Sequence, residues 1–168
     1  MKNKTVIVRI GKLLWDMLPS GKKAGGAPVN FVYHASLLGA ESYAISAIGK
    51  DALGDEILQE LDKIKLSYFI ERVDYPTGTV LVQLKEGIPN YTIIENVAWD
   101  YIPATDEVKQ LARRTDAICF GTLAQRSVVS RSTIHEILSL VPQSAYRILD
   151  INIRQHFYSK QIIEESLR

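Results

Sequence analysis

Apolar positions along the chain fall into changing rhythms, and each rhythm predicts a different element. Thr5 to Ile10 is β-branched and almost continuously apolar, the pattern of a parallel strand buried on both faces. Gly11 ends it, Leu13 to Met17 predicts a short second strand, and Pro19-Ser20-Gly21 predicts a turn. Spacing by three and four then begins. Val29, Val32, Tyr33, Ser36 and Leu37 share one face of a helix that Pro28 opens and Gly39 stops. Proline suits the first helical turn because its missing N–H would be unbonded there, and glycine suits the left-handed position beyond the last turn. Tyr43 to Ile48 reads as a strand. Asp51 caps a helix running to about Lys65, with Leu53, Ile57, Leu61 and Ile64 as its buried stripe.

Between Tyr68 and Ile102 the period shortens to two. Val80, Val82 and Leu84 alternate with Thr79, Leu81 and Gln83. Pro76-Thr77-Gly78 punctuates the approach, and Gly87 to Asn90 makes a turn before Tyr91 to Ile94. This predicts a small sheet inserted among α/β units, serving as a cover for a site or as an interface. Helical spacing returns at Ala104 to Arg114, where Thr105 is the cap and Asp106 and Glu107 suit the helix dipole. It returns again at Ser130 to Val141, with Ile134, Ile137, Leu138 and Val141 on one stripe and His135 off it. Asp116 to Gly121 and Arg147 to Ile153 read as buried strands, and Ser159 to Leu167 as a last helix. Strands and helices in this order make a layered α/β fold with a mainly parallel sheet.

Composition narrows the function classes. A chain of 168 residues is long enough for one domain with a real core. With 46% hydrophobic and 23% charged residues and a net charge of +1, it is globular, and the charge argues against a polyanion-binding surface as the main function, so no nucleic-acid partner is expected. The apolar runs are too short for a membrane span or a signal peptide. Cys119 stands alone in an apolar strand. It can form no internal disulfide, suits a reducing cytoplasm, and reads as a core residue. There is no P-loop and no G-x-G-x-x-G, and His34, His135 and His156 lack metal-ligand spacing.

Three stretches carry candidate chemistry. Gly25 and Gly26 precede a helix whose first turn holds Asn30. Bare backbone N–H groups beside a polar side chain can take a polar or anionic ligand, or the pair can simply form a tight turn. Asp16 lies in the apolar segment LLWDML, either as an acceptor for a ligand's hydroxyls or as a solvated carboxylate on an edge strand. Asp150, Asn152 and Arg154 share one side near the end of the last strand. Open α/β sheets bind ligands at the carboxyl ends of their strands; the alternative is that Asp150 and Arg154 pair with each other.

Taken in order, AGGAPVN, LGAESYAISAIGKDALG, the early G-x-L-L-W-D, Pro76-Thr77-Gly78-Thr79, ENVAWDYI, FGTLAQRS and DINIRQHFYS resemble the ribokinase-like (PfkB-type) carbohydrate kinases, and among them the bacterial fructokinases. The resemblance implies that Asp16, Gly25, Gly26 and Asn30 hold sugar hydroxyls. It places Arg154 near the sugar and the phosphoryl-transfer region, with Asp150 and Asn152 facing the same cleft on the phosphate side. Gln125 and Arg126 are secondary candidates. Lid strands at about residues 11–24 and 68–102 would close over the sugar and, in some members, build a homodimer. The implied reaction moves the γ-phosphoryl group of ATP, with magnesium, to a primary hydroxyl of a sugar: foremost D-fructose, giving fructose 6-phosphate. A 2-keto-3-deoxy sugar acid, ribose or a nucleoside is the alternative acceptor, Arg126 and Arg154 being suited to an acid's carboxylate, and a non-catalytic sugar-binding module is a further reading. The family's second signature, G-A-G-D, which supplies the catalytic base, does not occur in these 168 residues. Residues 1–168 are therefore expected to be an N-terminal sugar-binding half. That half would hold no catalytic base or metal ligand, bind ATP and magnesium weakly, lack kinase activity alone, and expose an unpaired sheet edge.

Overall fold

Five parallel strands meet in one sheet and four shorter strands form a second sheet beside it. The computed structural model describes residues 4–85 and 88–167. Strands Val6–Ile10 (β1), Glu41–Gly49 (β4), Tyr68–Val73 (β5), Ala117–Gly121 (β8) and Tyr146–Asp150 (β9) lie in the order β5-β4-β1-β8-β9, and every neighbouring pair is parallel. Strands Leu14–Leu18 (β2), Gly21–Gly25 (β3), Gly78–Lys85 (β6) and Ile88–Ile93 (β7) make the second sheet in the order β3-β2-β6-β7. Its pairs are antiparallel except β2 with β6.

Alternation along the central strands explains the layers. Val8, Ile10, Ile45 and Ala47 point to one face, where helices Asp106–Arg113 (α3) and Val128–Leu140 (α4) bury Val108, Leu111, Ile134 and Ile137 against them. Ala44 and Ile48 point to the other face and meet Val29 and Val32 of Ala27–Leu37 (α1) and Ile57 and Leu61 of Ala52–Lys63 (α2). A third cluster joins the base of the small sheet to the body: Leu14, Val80, Val82 and Ile93 pack on Val97, Trp99, Leu123 and Phe157. A short helix, Lys160–Ser166 (α5), closes the described chain.

Several expectations from the sequence are corrected. The lid does not include residues 68–73: β5 joins the main sheet beside β4, because the intervening α2 is the helical crossover that parallel neighbours require. Beyond β7 the chain forms a 3-10 turn, Ala98–Asp100, rather than lid strand. The predicted turn at Gly87 to Asn90 falls partly outside the described residues, and residues 88–90 already belong to β7. β9 ends at Asp150, three residues early, since the Thr122 hydroxyl accepts from the N–H of Asn152 (3.0 Å) and donates to its carbonyl (3.1 Å), drawing the chain out of the sheet. The expected burial of that strand also fails. It is a sheet edge, with Tyr146 and Ile148 exposed. Leu37 of α1 and Ile64 beyond α2 are likewise exposed rather than in their predicted stripes.

Asp51 ties α2 to the lid. Its carboxylate accepts from Gly54 N–H (2.8 Å), Thr77 N–H (2.8 Å) and the Thr77 hydroxyl (2.6 Å), while the Thr77 hydroxyl oxygen accepts from Gly49 N–H (2.9 Å). Burial pushes the Asp51 carboxyl up, but these hydrogen bonds outweigh it and hold the group below the usual carboxylate range. Loss of an N-cap costs ~0.5–2 kcal/mol. Asp51→Ala is expected at the top of that range, near ~2 kcal/mol, because Thr77 loses its acceptor as well. A depressed acid contributes stability above its unfolded pKa and loses it as pH falls through the folded one. The melting-temperature gap between wild type and Asp51→Ala should therefore be full near neutrality and close on acidification below the ordinary aspartate range. A gap that does not change with pH would contradict this account.

Candidate functional site

The glycine pair allows three chain segments to converge. Gly26 caps α1 with φ 125, a region that L side chains rarely adopt. A Cβ there would overlap the Lys12 carbonyl oxygen and sit 3.3 Å from the Leu13 Cα. Helix α1 can thus start directly against the loop that leaves β1. Opposite Leu14 in the β2–β3 pair, Gly25 faces the Asp16 carboxylate, where a Cβ would come within 2.7 Å of Oδ2. With no side chain at 25, that carboxylate stays open.

Asp16, Gly26, Asn30 and Arg154 line one cavity of about 320 Å³, together with Lys12. This volume is at the lower end of small-molecule pockets, ~300–1,000 Å³. Val80 of β6 and Tyr91 and Ile93 of β7 complete the cavity from the small sheet. The turn after β9 delivers Arg154. Gln155 adopts φ 47, Phe157 N–H donates to the Arg154 carbonyl (3.1 Å), and the Gln155 amide oxygen accepts from Ile93 N–H (3.4 Å). Burial pushes the Asp16 carboxyl above the usual aspartate range, with the Lys12 and Lys23 charges pulling it partly back. Burial also pushes the Lys12 ammonium down, and the Arg154 charge pushes it the same way, against Asp16 and Asp150.

The remaining candidates are placed elsewhere. Asp150 is ion-paired with Arg9, not with Arg154, because the sheet order puts β9 and β1 on either side of β8. With Asn152 it lines a narrow crevice that also reaches Lys12. The Asn152 side-chain oxygen is buried there without a partner. Gln125 is fully buried and spans Gly121, Ser166 and His135. Arg126 is inside the protein. Its guanidinium makes two 2.8 Å bonds to Asp100, a 2.6 Å bond to the Ile94 carbonyl, and lies over the rings of Trp99 (3.9 Å) and Phe157 (4.5 Å). Gln125 and Arg126, the secondary ligand-binding candidates, are held by these protein contacts, with Arg126 Nη1 buried and without a partner. Lys12 and Tyr91 are the cavity residues that the sequence reading missed. The signal for Lys12 was its position just past Gly11 at the carboxyl end of β1.

A larger groove, about 790 Å³, runs along the exposed sheet face beside α1. It shares Ala27 and Asn30 with the smaller cavity, but its lining is mostly apolar and its two charged residues, Arg9 and Asp150, are paired with each other, Arg9 Nε alone lacking a partner. The smaller cavity holds the open polar groups.

Residues 20–168 match the family described as pfkB family carbohydrate kinase. An uncharacterized sugar kinase of Pyrococcus horikoshii is 26% identical, covering 97% of this chain and 59% of the relative. Its crystal structure in complex with ATP superposes with a TM-score of 0.84 at 27% identity, over 96% of this chain and 60% of that one. An ATP-dependent 6-phosphofructokinase of Thermoanaerobacterium thermosaccharolyticum is 30% identical over 79% of this chain and 44% of its own length. The fructokinase of Halothermothrix orenii shares the fold, with a TM-score of 0.80 at 19% identity over 95% of this chain and 63% of that one. The chain thus spans roughly half of the length of the curated relatives it matches.

Proposed function

Because the chain belongs to the pfkB family of carbohydrate kinases, we propose that it supplies the sugar-binding side of an ATP-dependent sugar kinase. The observation that carries this reading is the cavity itself. An open carboxylate (Asp16), an amide (Asn30) and two cations (Lys12, Arg154) converge beneath a small sheet that covers them. A carboxylate accepts hydrogen bonds from adjacent sugar hydroxyls, and enclosing them away from water strengthens each bond. D-Fructose, the acceptor that the sequence motifs suggest, would be phosphorylated on O6.

ATP would supply the phosphoryl group, and magnesium the charge that neutralises it in transfer. Magnesium keeps several of its waters, and the unpartnered Asn152 oxygen in the crevice beside the cavity would be an acceptor for one of them. The residues of this chain orient the acceptor and exclude water, which is most of what phosphoryl transfer asks of a protein. No described helix is long and apolar enough to cross a membrane. A cytoplasmic location, and a homodimer formed through the lid edges β3 and β7, are parts of the same proposal.

Calorimetric titration of the chain with D-fructose tests it. One-site binding is expected, weakened about 10- to 100-fold by Asp16→Asn, the value of a hydrogen bond to a charged group at ~1.5–3 kcal/mol. Hydroxyl donors favour the ionised carboxylate. Affinity should therefore fall as pH drops through the raised Asp16 pKa, starting at a higher pH than an ordinary aspartate would give, and Asp16→Asn should flatten the profile. Binding that is indifferent to both the substitution and pH would refute Asp16 as the sugar ligand.

A further inference from the structure

Arg9 puts a charge in the middle of an apolar strand. It lies between Val8 and Ile10 on β1, the central strand of the main sheet, and is 8% exposed. Apolar side chains of similar volume often stabilise a fold as well as a buried ion pair does, so stability alone does not account for it. Its guanidinium reaches across β8. Nη1 donates to the Cys119 sulfur (3.0 Å), Nη2 is paired with the Asp150 carboxylate on β9, and the Phe31 ring of α1 lies 5.4 Å away. Small residues on β8 leave the way open. Cys119 is the ladder partner of Arg9, and Gly121, the ladder partner of Asp150, has no side chain.

This pair stands where the sheet forks. Arg9 and Cys119 are the last paired residues of β1 and β8, and Gly121 and Asp150 are the last of β8 and β9. Beyond them the ladders no longer set how far apart the two chains run. The crevice that holds Asn152 opens there, with Arg9 and Asp150 both on its border. One arm carries Lys12 three residues past Arg9, and the other carries Arg154 four residues past Asp150. Both side chains enter the cavity beneath the small sheet. The two arms repel each other, since the Lys12 ammonium is pushed down by burial and next by the Arg154 charge.

We infer that Arg9 is a positioning residue of the acceptor site. Its pairing with Asp150 closes the fork, holds the ends of β1 and β9 at one spacing against the repulsion of the cations they carry, and so aims Lys12 and Arg154 at the same ligand. Arg9 does not itself line the cavity. This inference rests on the reading of the cavity as the acceptor site.

Calorimetric titration with D-fructose, beside thermal melts of the same variants, tests it. Arg9→Met should lower both affinity and melting temperature, because Asp150 is left unpaired beside Lys12. The decisive variant joins Arg9→Met to Asp150→Leu. It removes one charge of each sign, and apolar groups can replace a buried pair, so its melting temperature should return close to that of wild type. Its affinity should stay about tenfold below wild type, the worth of one misaimed hydrogen bond to a charged group. Arg9→Lys keeps the pairing with Asp150 and should retain most of the affinity, whatever stability it loses with the Cys119 contact. A ligand-free crystal structure of the double variant should show Lys12 and Arg154 farther apart than in wild type. Wild-type affinity in the double variant, unchanged spacing, or a loss with Arg9→Lys as large as with Arg9→Met would each overturn the inference and leave the acceptor site standing. If wild type does not bind D-fructose, the acceptor-site reading falls and this inference falls with it.

Discussion

Replacing Arg126 with alanine is expected to lower the melting temperature by roughly 6–20 °C, from a loss of ~3–5 kcal/mol at ~2–4 °C per kcal/mol for a chain of this size. Both partners of the Arg126–Asp100 pair are buried, with side-chain exposures of 6% and 5%. Removing the guanidinium strands a carboxylate where water cannot reach it, and that penalty, more than the lost attraction, sets the magnitude. The Ile94 carbonyl also loses its donor, and Trp99 and Phe157 lose the cation stacked on their faces. Arg126→Lys should rescue little, because an ammonium cannot reproduce two parallel bonds to one carboxylate. Pairing Arg126→Met with Asp100→Leu should recover much of the loss, since buried ion pairs can be exchanged for apolar groups of similar volume. Recovery will be incomplete because Asp100 also accepts from Val97 N–H at 3.2 Å. Thermal melts of the single and double variants decide it, and a single-variant loss below ~1 kcal/mol would put the pair in the class of surface bridges.

Gly26→Ala is the second large effect, at roughly 2–6 kcal/mol. About 1–3 kcal/mol comes from forcing a side chain into its backbone region, and a similar ~1–3 kcal/mol comes from overpacking. The overlapping atoms belong to the Lys12 and Leu13 backbone, so no side-chain rotation relieves the clash. Gly21→Ala is the control: its φ is 126, but nothing lies within 4 Å of its Cβ position. It should cost the backbone part alone. Chemical denaturation of both variants separates the two contributions, and equal losses would mean that close packing at Gly26 counts for nothing. Because relief must come from moving Lys12 or the start of α1, Gly26→Ala should also weaken sugar binding beyond its effect on stability.

Local rhythm made much of this fold legible. The caps Asp51 and Thr105, the strand at β4 and the stripe of α4 depend on neighbours within a few residues, and they stand where the local pattern puts them. Misread positions depend on distant partners. Arg9 and Asp150 are separated by 141 residues, and only the sheet order brings them together. Arg126 looks like a free cation in FGTLAQRS. Its burial is set by Asp100, 26 residues earlier, and by Phe157 beyond the last strand. β5 falls in the stretch where the period of two points to the small sheet, and its mostly half-buried residues lack the continuous apolar character that marks β1 as a central strand. At the candidate site, residue type singled out the glycine pair and Asp16 but left a turn and a solvated carboxylate as equal readings, and only the resemblance implied a role in binding sugar. Lys12 was not singled out, because a lysine after a strand is ordinary until a second cation is found across from it.

The lid strands come from two separate excursions of the chain, one leaving the body after Gly11 and returning at Gly26, the other leaving at Gly78 and returning after Ile93. β2 and β6, one from each, are hydrogen-bonded side by side. The cover is therefore moored at four points and cannot swing as a single-hinged flap. If a ligand binds beneath it, a cover fixed in this way has little conformational entropy left to lose. A lid moored in this way favours a small rigid tilt of the whole sheet over any refolding of its strands.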